Sequence, residues 1–275
     1  MLKVFIITQD EPFYIPKAIT HLLNSKSSDF RVVGQTVLKP YRKNKRMRDW
    51  ILERTKIYTI WEMCVVGILY AFCKFCNVLF KESSYYSVKS IFNRHNVPSI
   101  ETKNINCSEY LAKIRELDLD IIISLSCPQL FKEELLSLPK KYCINAHGTL
   151  LPRHRGVFGS WWTLFSGDEY AGSTIHTMEL KLDAGKILWQ EKLRVAKYDT
   201  QYSIAYQTKQ QLAKGLVKTL KQINHGLEKA LEPNAETSYH RTPTRHEGRE
   251  FHQLGYSIIN LTNSKLVLAP FFNLK

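Results

Sequence analysis

The sequence predicts an α/β fold class: a Rossmann-like, open and mostly parallel sheet flanked by helices, with a helical insertion and a short mixed C-terminal extension. Three observations predict it. The chain opens on "LKVFIIT" (2–8), a continuous apolar run of the kind a strand buried on both faces requires. A helix and a second strand follow by residue 38, and so short a strand–helix–strand order points to an open α/β sheet. Two further buried strands, "LDIIISLS" (119–126) and "KYCINAH" (141–147), come later with helical sequence between them.

In chain order, residues 14–25 read as a helix with Ile15, Ala18, Ile19, Leu22 and Leu23 on one side, and "FRVVGQTVL" (30–38) as the second strand. Residues 39–86 interrupt the pattern. Lys39, Arg42, Lys43, Lys45, Arg46 and Arg48 crowd together ahead of the nearly all-apolar stretch 57–80, which carries Glu62, Lys74 and Asn77. A membrane span needs about 20 mostly apolar residues, and the unbroken stretch 63–73 is shorter. The expectation is therefore a buried helical insertion or a dimer interface, with a basic, apolar hairpin resting on an anionic membrane surface as the alternative. The sheet pattern resumes with a helix over 87–96, a short strand "VPSIE", an amphipathic helix over 108–118 started by Ser108, the strand 119–126, a helix over "CPQLFKEELLSLP" and the strand 141–147. Then come strands "STIHTMEL" and "KILWQEKLRV", a helix from about 201 to 230, and a tail with a short helix near "GREFHQLG". The division this suggests is 1–200 for the sheet domain, insertion included, and 201–275 for a C-terminal helix and small extension.

Composition narrows the classes. A hydrophobic fraction of 44% over 275 residues describes a folded globular chain, which excludes a disordered one. The turn after the first strand, "TQDEPFYIP", lacks Gly-x-Gly-x-x-Gly, which argues against NAD or FAD. The six cysteines lie in apolar or strand-like contexts and the chain starts directly on a strand, so reduced thiols and the cytoplasm are expected. Cys73-x-x-Cys76 has no matching second pair and reads as packing, with no metal site expected. The net charge of +14 suggests an anionic partner: nucleic acid, a phosphorylated small substrate or an acidic membrane surface.

The chemistry concentrates in "INAHGTLLPRHRG" (144–156). Side chains alternate along a strand, so Asn145 and His147 share a side, and ligands of open α/β sheets bind at the carboxyl ends of strands. A histidine suits proton transfer near neutrality. A carboxamide suits a carbonyl oxygen gaining negative charge. The acidic partner that would orient the imidazole is Asp183 in "LDAGKIL", a turn between two strands and 36 residues beyond His147.

This constellation resembles the N10-formyltetrahydrofolate-dependent formyltransferases, whose signature is Asn-x-His-x-Ser-Leu-Leu-Pro, then Arg-Gly, then Asp-x-Gly-x-Ile. The likeness is firmest over 119–195, with Thr149 standing where the family usually has serine. The resemblance implies formyl transfer to a primary amine. Asn145 would hold the formyl oxygen, His147 would help activate the amine or relay its proton, and Asp183 would orient His147. The folate donor, N10-formyltetrahydrofolate, would lie against the backbone of 124–130 (Ser124, Leu125, Ser126, Cys127 and Leu130) and the Asp183 loop. Arg155 and Gly156 match the family's Arg-Gly, with Arg155 directed at the acceptor.

Among acceptors, the basic charge favours methionyl-tRNA. Against it, about 75 residues follow position 200, fewer than the β-rich C-terminal domain of the tRNA enzymes would take. "SYHRTPT" (238–244) resembles a Tyr-x-x-x-Pro-Thr segment of the nucleotide-sugar N-formyltransferases. The resemblance therefore implies a nucleotide-linked amino sugar, such as one dTDP-linked, used in surface polysaccharide or lipopolysaccharide O-antigen synthesis, and a homodimer. An inactive formyltransferase-like binding domain is the non-enzyme alternative.

Overall fold

Strand β1 (Leu2–Gln9) runs through the middle of the molecule, and its two faces meet different helices. Val4 and Ile6 point to one side and Phe5 and Ile7 to the other, as period-two alternation dictates. The computed structural model describes residues 1–25, 27–40, 46–81, 84–233, 235–263 and 267–268. After β1 come helix α1 (Ile15–Asn24), strand β2 (Phe30–Leu38), and helices α2 (Met47–Arg54), α3 (Ile60–Phe80), α4 (Val88–Arg94) and α5 (Ser108–Glu116). Strand β3 (Ile121–Leu125), helix α6 (Glu133–Leu136), strand β4 (Tyr142–His147), the two-residue strand β5 (Arg155–Gly156) and helix α7 (Gly159–Phe165) follow. The chain continues through β6 (Tyr170–Thr177), β7 (Ile187–Arg194), α8 (Gln201–His225), β8 (Tyr239–His240) and α9 (Arg245–Gln253).

Six strands form one sheet in the order β2-β1-β3-β4-β6-β7. The first four are parallel, while β4–β6 and β6–β7 are antiparallel. The mostly parallel open sheet expected from the sequence is thus present, with an antiparallel edge built from the β6–β7 hairpin. Residues of α1, α4 and α8 pack on one face, against Val4, Ile6, Ile121, Ile123 and Ile144. Residues of α5 and α6 cover the other, against Phe5, Ile7, Ile122 and Cys143. Each such aliphatic burial contributes roughly 1.5–3 kcal/mol. Helix α8, which the sequence groups with the C-terminal extension, places Leu212, Leu216, Leu220 and Ile223 in the sheet's own core.

Several elements are shorter than expected. The helix anticipated over "CPQLFKEELLSLP" is only Glu133–Leu136. Ser126 ahead of it takes φ 57°, and Pro128 restricts the residue before it away from helix. Helix α8 stops at His225 because Gly226 supplies a left-handed cap at φ 64°. "VPSIE" contributes one bridge, Gln35 to Ser99.

The insertion folds as α2 and α3, although Tyr41–Lys45 of the basic run lie outside the described residues. Helix α3 starts at Thr59, whose hydroxyl accepts from the Glu62 N–H at 3.2 Å while Glu62 accepts from the Thr59 N–H at 2.8 Å, a reciprocal cap. It is buried along one face only. Leu69, Cys73 and Cys76 join Tyr86, Tyr202, Ile259 and Val267 in an apolar cluster, which gives the Cys-x-x-Cys pair a packing role. The opposite face, where burial was expected, is open.

Candidate active site

The carboxyl ends of β3 and β4 present the site. Parallel pairing sets Ser124 beside Asn145, and antiparallel pairing sets Asn145 beside His176 and His147 beside Thr174. The β6–β7 hairpin then brings back Asp183, at φ 49° and with its side chain only 5% exposed. Gly185 makes this turn possible, because a Cβ there would lie 1.8 Å from the Thr177 carbonyl oxygen.

The structure brings Asn145, His147 and Asp183 together. The Asn145 amide donates to Asp183 Oδ1 at 3.4 Å, and His147 Nδ1 lies 3.9 Å from the same oxygen. The second Asp183 oxygen accepts the Gly156 N–H at 2.8 Å. His147 Nε2 is 3.2 Å from the His154 carbonyl. A carbonyl only accepts, so Nε2 carries the proton and Nδ1, facing Asp183, is the basic nitrogen. The Thr149 hydroxyl donates to the same carbonyl at 3.3 Å, a bond that the serine-to-threonine change preserves.

Gly156 holds the loop in place. It pairs with His240 through the β5–β8 ladder, at φ 99° and with no room for a Cβ, which would sit 2.2 Å from the His240 carbonyl oxygen. Arg155 Nε is buried with no hydrogen-bond partner among the described residues. A buried, unmatched guanidinium donor is costly and suits an anionic or carbonyl group of an incoming ligand.

The expected donor wall is less uniform. Ser124 is buried beside Asn145, but the Leu125 side chain points into the sheet core and its carbonyl accepts from Thr8 Oγ1 at 2.8 Å. The Cys127 thiol donates to the Gln129 carbonyl at 3.3 Å, and burial pushes that thiol up to about 12. Leu130 stands 68% exposed, free to meet an apolar ring.

Sequence reasoning did not find two features. The first is His176, 2% exposed, whose Nδ1–H donates to the Thr177 carbonyl at 2.7 Å and whose Nε2 accepts from the Asn145 amide at 3.2 Å. Burial, reinforced by neighbouring His147, lowers its pKa to about 4, so the ring is neutral and fixes Asn145. The second lies under the loop. Arg153 grips Asp168 with two bonds, at 2.9 and 2.6 Å, and Asp168 also meets His154 Nε2 at 2.7 Å. His154 Nδ1 faces His240 Nε2 at 2.9 Å, and the His240 ring stacks on Trp162. Burial raises the Asp168 carboxyl, but the His154 and Arg153 bonds outweigh it and hold the group below the usual range. Among the described residues no cluster of three or more His, Cys, Asp or Glu side chains is arranged to hold a metal.

A family profile described as formyl transferase matches residues 74–220, more than half of the chain. The chain belongs to the formyl transferase family. It is 35% identical over 120 residues to the bifunctional polymyxin resistance protein ArnA of Wigglesworthia glossinidia brevipalpis, covering 44% of this chain and 18% of that protein. It is 29% identical over 160 residues to the methionyl-tRNA formyltransferase of Agathobacter rectalis, covering 58% and 52%. The chain thus spans about half or less of the length of these curated relatives. Among solved structures, a sugar N-formyltransferase from Shewanella sp FDAARGOS_354 shares the fold at TM-score 0.56 and 18% identity, over 97% of this chain and 86% of that one. A phosphoribosylglycinamide formyltransferase from Anaplasma phagocytophilum does so at TM-score 0.58 and 17% identity, over 87% and 99%. A sugar 3N-formyl transferase solved in the presence of dTDP and 5-N-formyl-THF matches at TM-score 0.55 and 16% identity, over 87% and 70%.

Proposed function

We propose that this chain is an N-formyltransferase that moves a formyl group from N10-formyltetrahydrofolate to the primary amine of a nucleotide-linked amino sugar. The observation that carries the reaction class is the convergence of Asn145, His147 and Asp183 at one strand edge within a formyl transferase family chain. The folate supplies an activated formyl carbon. Leu130, the backbone of 124–127 and the Asp183 loop form its wall.

The residues divide the work. His176 takes one Asn145 amide hydrogen, and the other makes only the long 3.4 Å bond to Asp183, so it is the one available to the formyl oxygen as charge develops there. His147 Nδ1 receives the proton of the attacking amine, and the Asp183 carboxylate stabilises the resulting imidazolium. A bond forms between the amine nitrogen and the formyl carbon. The bond from that carbon to N10 breaks, and the proton held at His147 passes to N10.

The sugar acceptor is supported by the sugar N-formyltransferases among the solved structures that share this fold, one of them over 97% of this chain. The unpartnered Arg155 Nε suits a diphosphate or sugar oxygen. We place the reaction in the cytoplasm, as a homodimer with a peripheral membrane contact through 39–86, in service of surface polysaccharide such as lipopolysaccharide O-antigen. The second reading, methionyl-tRNA formylation, draws on the relatives' names and the +14 charge. Purified protein with the folate donor, offered dTDP-, UDP- and GDP-linked amino sugars and charged methionyl-tRNA, separates the two. Turnover of a sugar is expected. Turnover of tRNA alone overturns the acceptor, and no turnover of any amine returns the chain to the class of binding domains.

A further inference from the structure

Helix α3 sorts its side chains in an unusual way. Its two charged residues and its one amide are all partnered by residues of the domain, Glu62 buried and Lys74 half-exposed. Glu62 accepts the Thr59 and Ile258 N–H groups at 2.8 and 2.7 Å, Lys74 pairs with Asp10 at 3.1 Å, and Asn77 bonds Ser84. Every exposed position from 60 to 80 is apolar or small. Trp61, Cys64, Ile68, Ala71, Phe75 and Val78 recur at three- and four-residue spacing and so form one stripe about 100° wide. Trp61, Ile68, Phe75 and Val78 are 63, 69, 62 and 74% exposed. The stripe runs the full 21 residues, about 30 Å at 1.5 Å per residue. A soluble surface rarely leaves so long an apolar strip uncovered.

Charge identifies the occupant. Between residues 39 and 60 stand eight basic and two acidic side chains, and Arg46, Arg48 and Lys56 in the segment leading into the helix are exposed. A second copy of a +14 chain docking on this face would bring like charges together. An anionic bilayer turns the same charges into attraction. The helix is long and apolar enough to cross a membrane, with a mean hydropathy of 2.0, yet spanning would tear Glu62 and Lys74 from their partners and strip the face holding Leu69, Cys73 and Cys76.

We infer that α3 lies flat in the interface of an anionic lipid bilayer, its outer stripe among the upper acyl chains and the exposed Arg46, Arg48 and Lys56 against the headgroups. The binding is peripheral, needs both apolar and electrostatic terms, and is independent of formyl transfer.

Co-sedimentation of the full chain with phosphatidylcholine vesicles containing phosphatidylglycerol tests this. The chain is expected to pellet at low salt, to pellet far less with pure phosphatidylcholine, and to partition at least about tenfold less when Ile68→Glu and Phe75→Glu are combined. The pair Ile68→Ser and Phe75→Ser, checked by an unchanged thermal transition, serves if the glutamates disturb folding. Brominated acyl chains are expected to quench fluorescence that Trp61→Phe removes. Failure to pellet with anionic vesicles overturns the inference. So does pelleting that neither pair alters, which is charge adsorption alone. Lipid-free self-association abolished by both pairs also overturns it and assigns the face to a second copy.

Discussion

Asn145 divides its two amide hydrogens between His176 and Asp183, and this division sets what single substitutions do. Asn145→Ala is expected to lower kcat by about 100-fold or more, as loss of an oxyanion donor does, while the thermal midpoint moves little; steady-state kinetics beside a melt checks both. His176 yields a pH signature. Its pKa is about 4 in the folded chain against an ordinary 6.5, so below pH 6.5 the unfolded chain binds the extra proton and stability falls as pH drops toward 4. The window is worth about 3 kcal/mol. Urea unfolding between pH 4 and 8 is expected to show this slope, and His176→Gln to flatten it. Asn145, His147 and Asp183 were legible because the motif spacing carries them. His176 was not, because "STIHTMEL" shows only an alternating strand, and its meeting with Asn145 depends on the antiparallel β4–β6 register. The buried His154–Asp168 contact was equally hidden, since it joins residues on opposite sides of α7.

Among elements, the two-residue ladder between β5 and β8 controls the site most directly. Through it Gly156 aims its N–H at Asp183 and the His154 carbonyl meets His147. Gly156→Ala forces a Cβ into the His240 carbonyl at φ 99°. It is expected to cost about 1–3 kcal/mol of stability and to lower turnover by more than stability explains; parallel melts and rate measurements distinguish the two losses. Asp168→Asn removes the negative charge and leaves one acceptor oxygen for Arg153 and His154; it is expected to lower kcat with little change in KM in steady-state kinetics, because it loosens the loop that carries the His154 carbonyl and leaves the binding wall alone. The central strands and α3 could be read from their apolar runs and the lengths of those runs. Helix lengths could not, since Ser126 and Gly226 end or prevent helices through left-handed backbone, which side-chain pattern does not encode. The open face of α3 was also invisible, because an apolar residue reads the same whether the fold covers it or not.

At the scale of the whole molecule, the sheet and α8 share one core. Leu212, Leu216 and Leu220 pack with Ile144 and Ile175, so a chain cut after residue 200 exposes the strands that carry the site. Such a truncation is expected to be insoluble, or to lack the near-ultraviolet circular dichroism that the full chain shows. The β5–β8 pairing also has a consequence in time. At about 5–20 residues per second, roughly 5–20 s separate the emergence of His147 from that of His240 during synthesis. Throughout that interval the growing polypeptide holds its reactive side chains without the strand that aims them. The geometry of the candidate site is therefore completed late, after all six strands of the sheet have emerged.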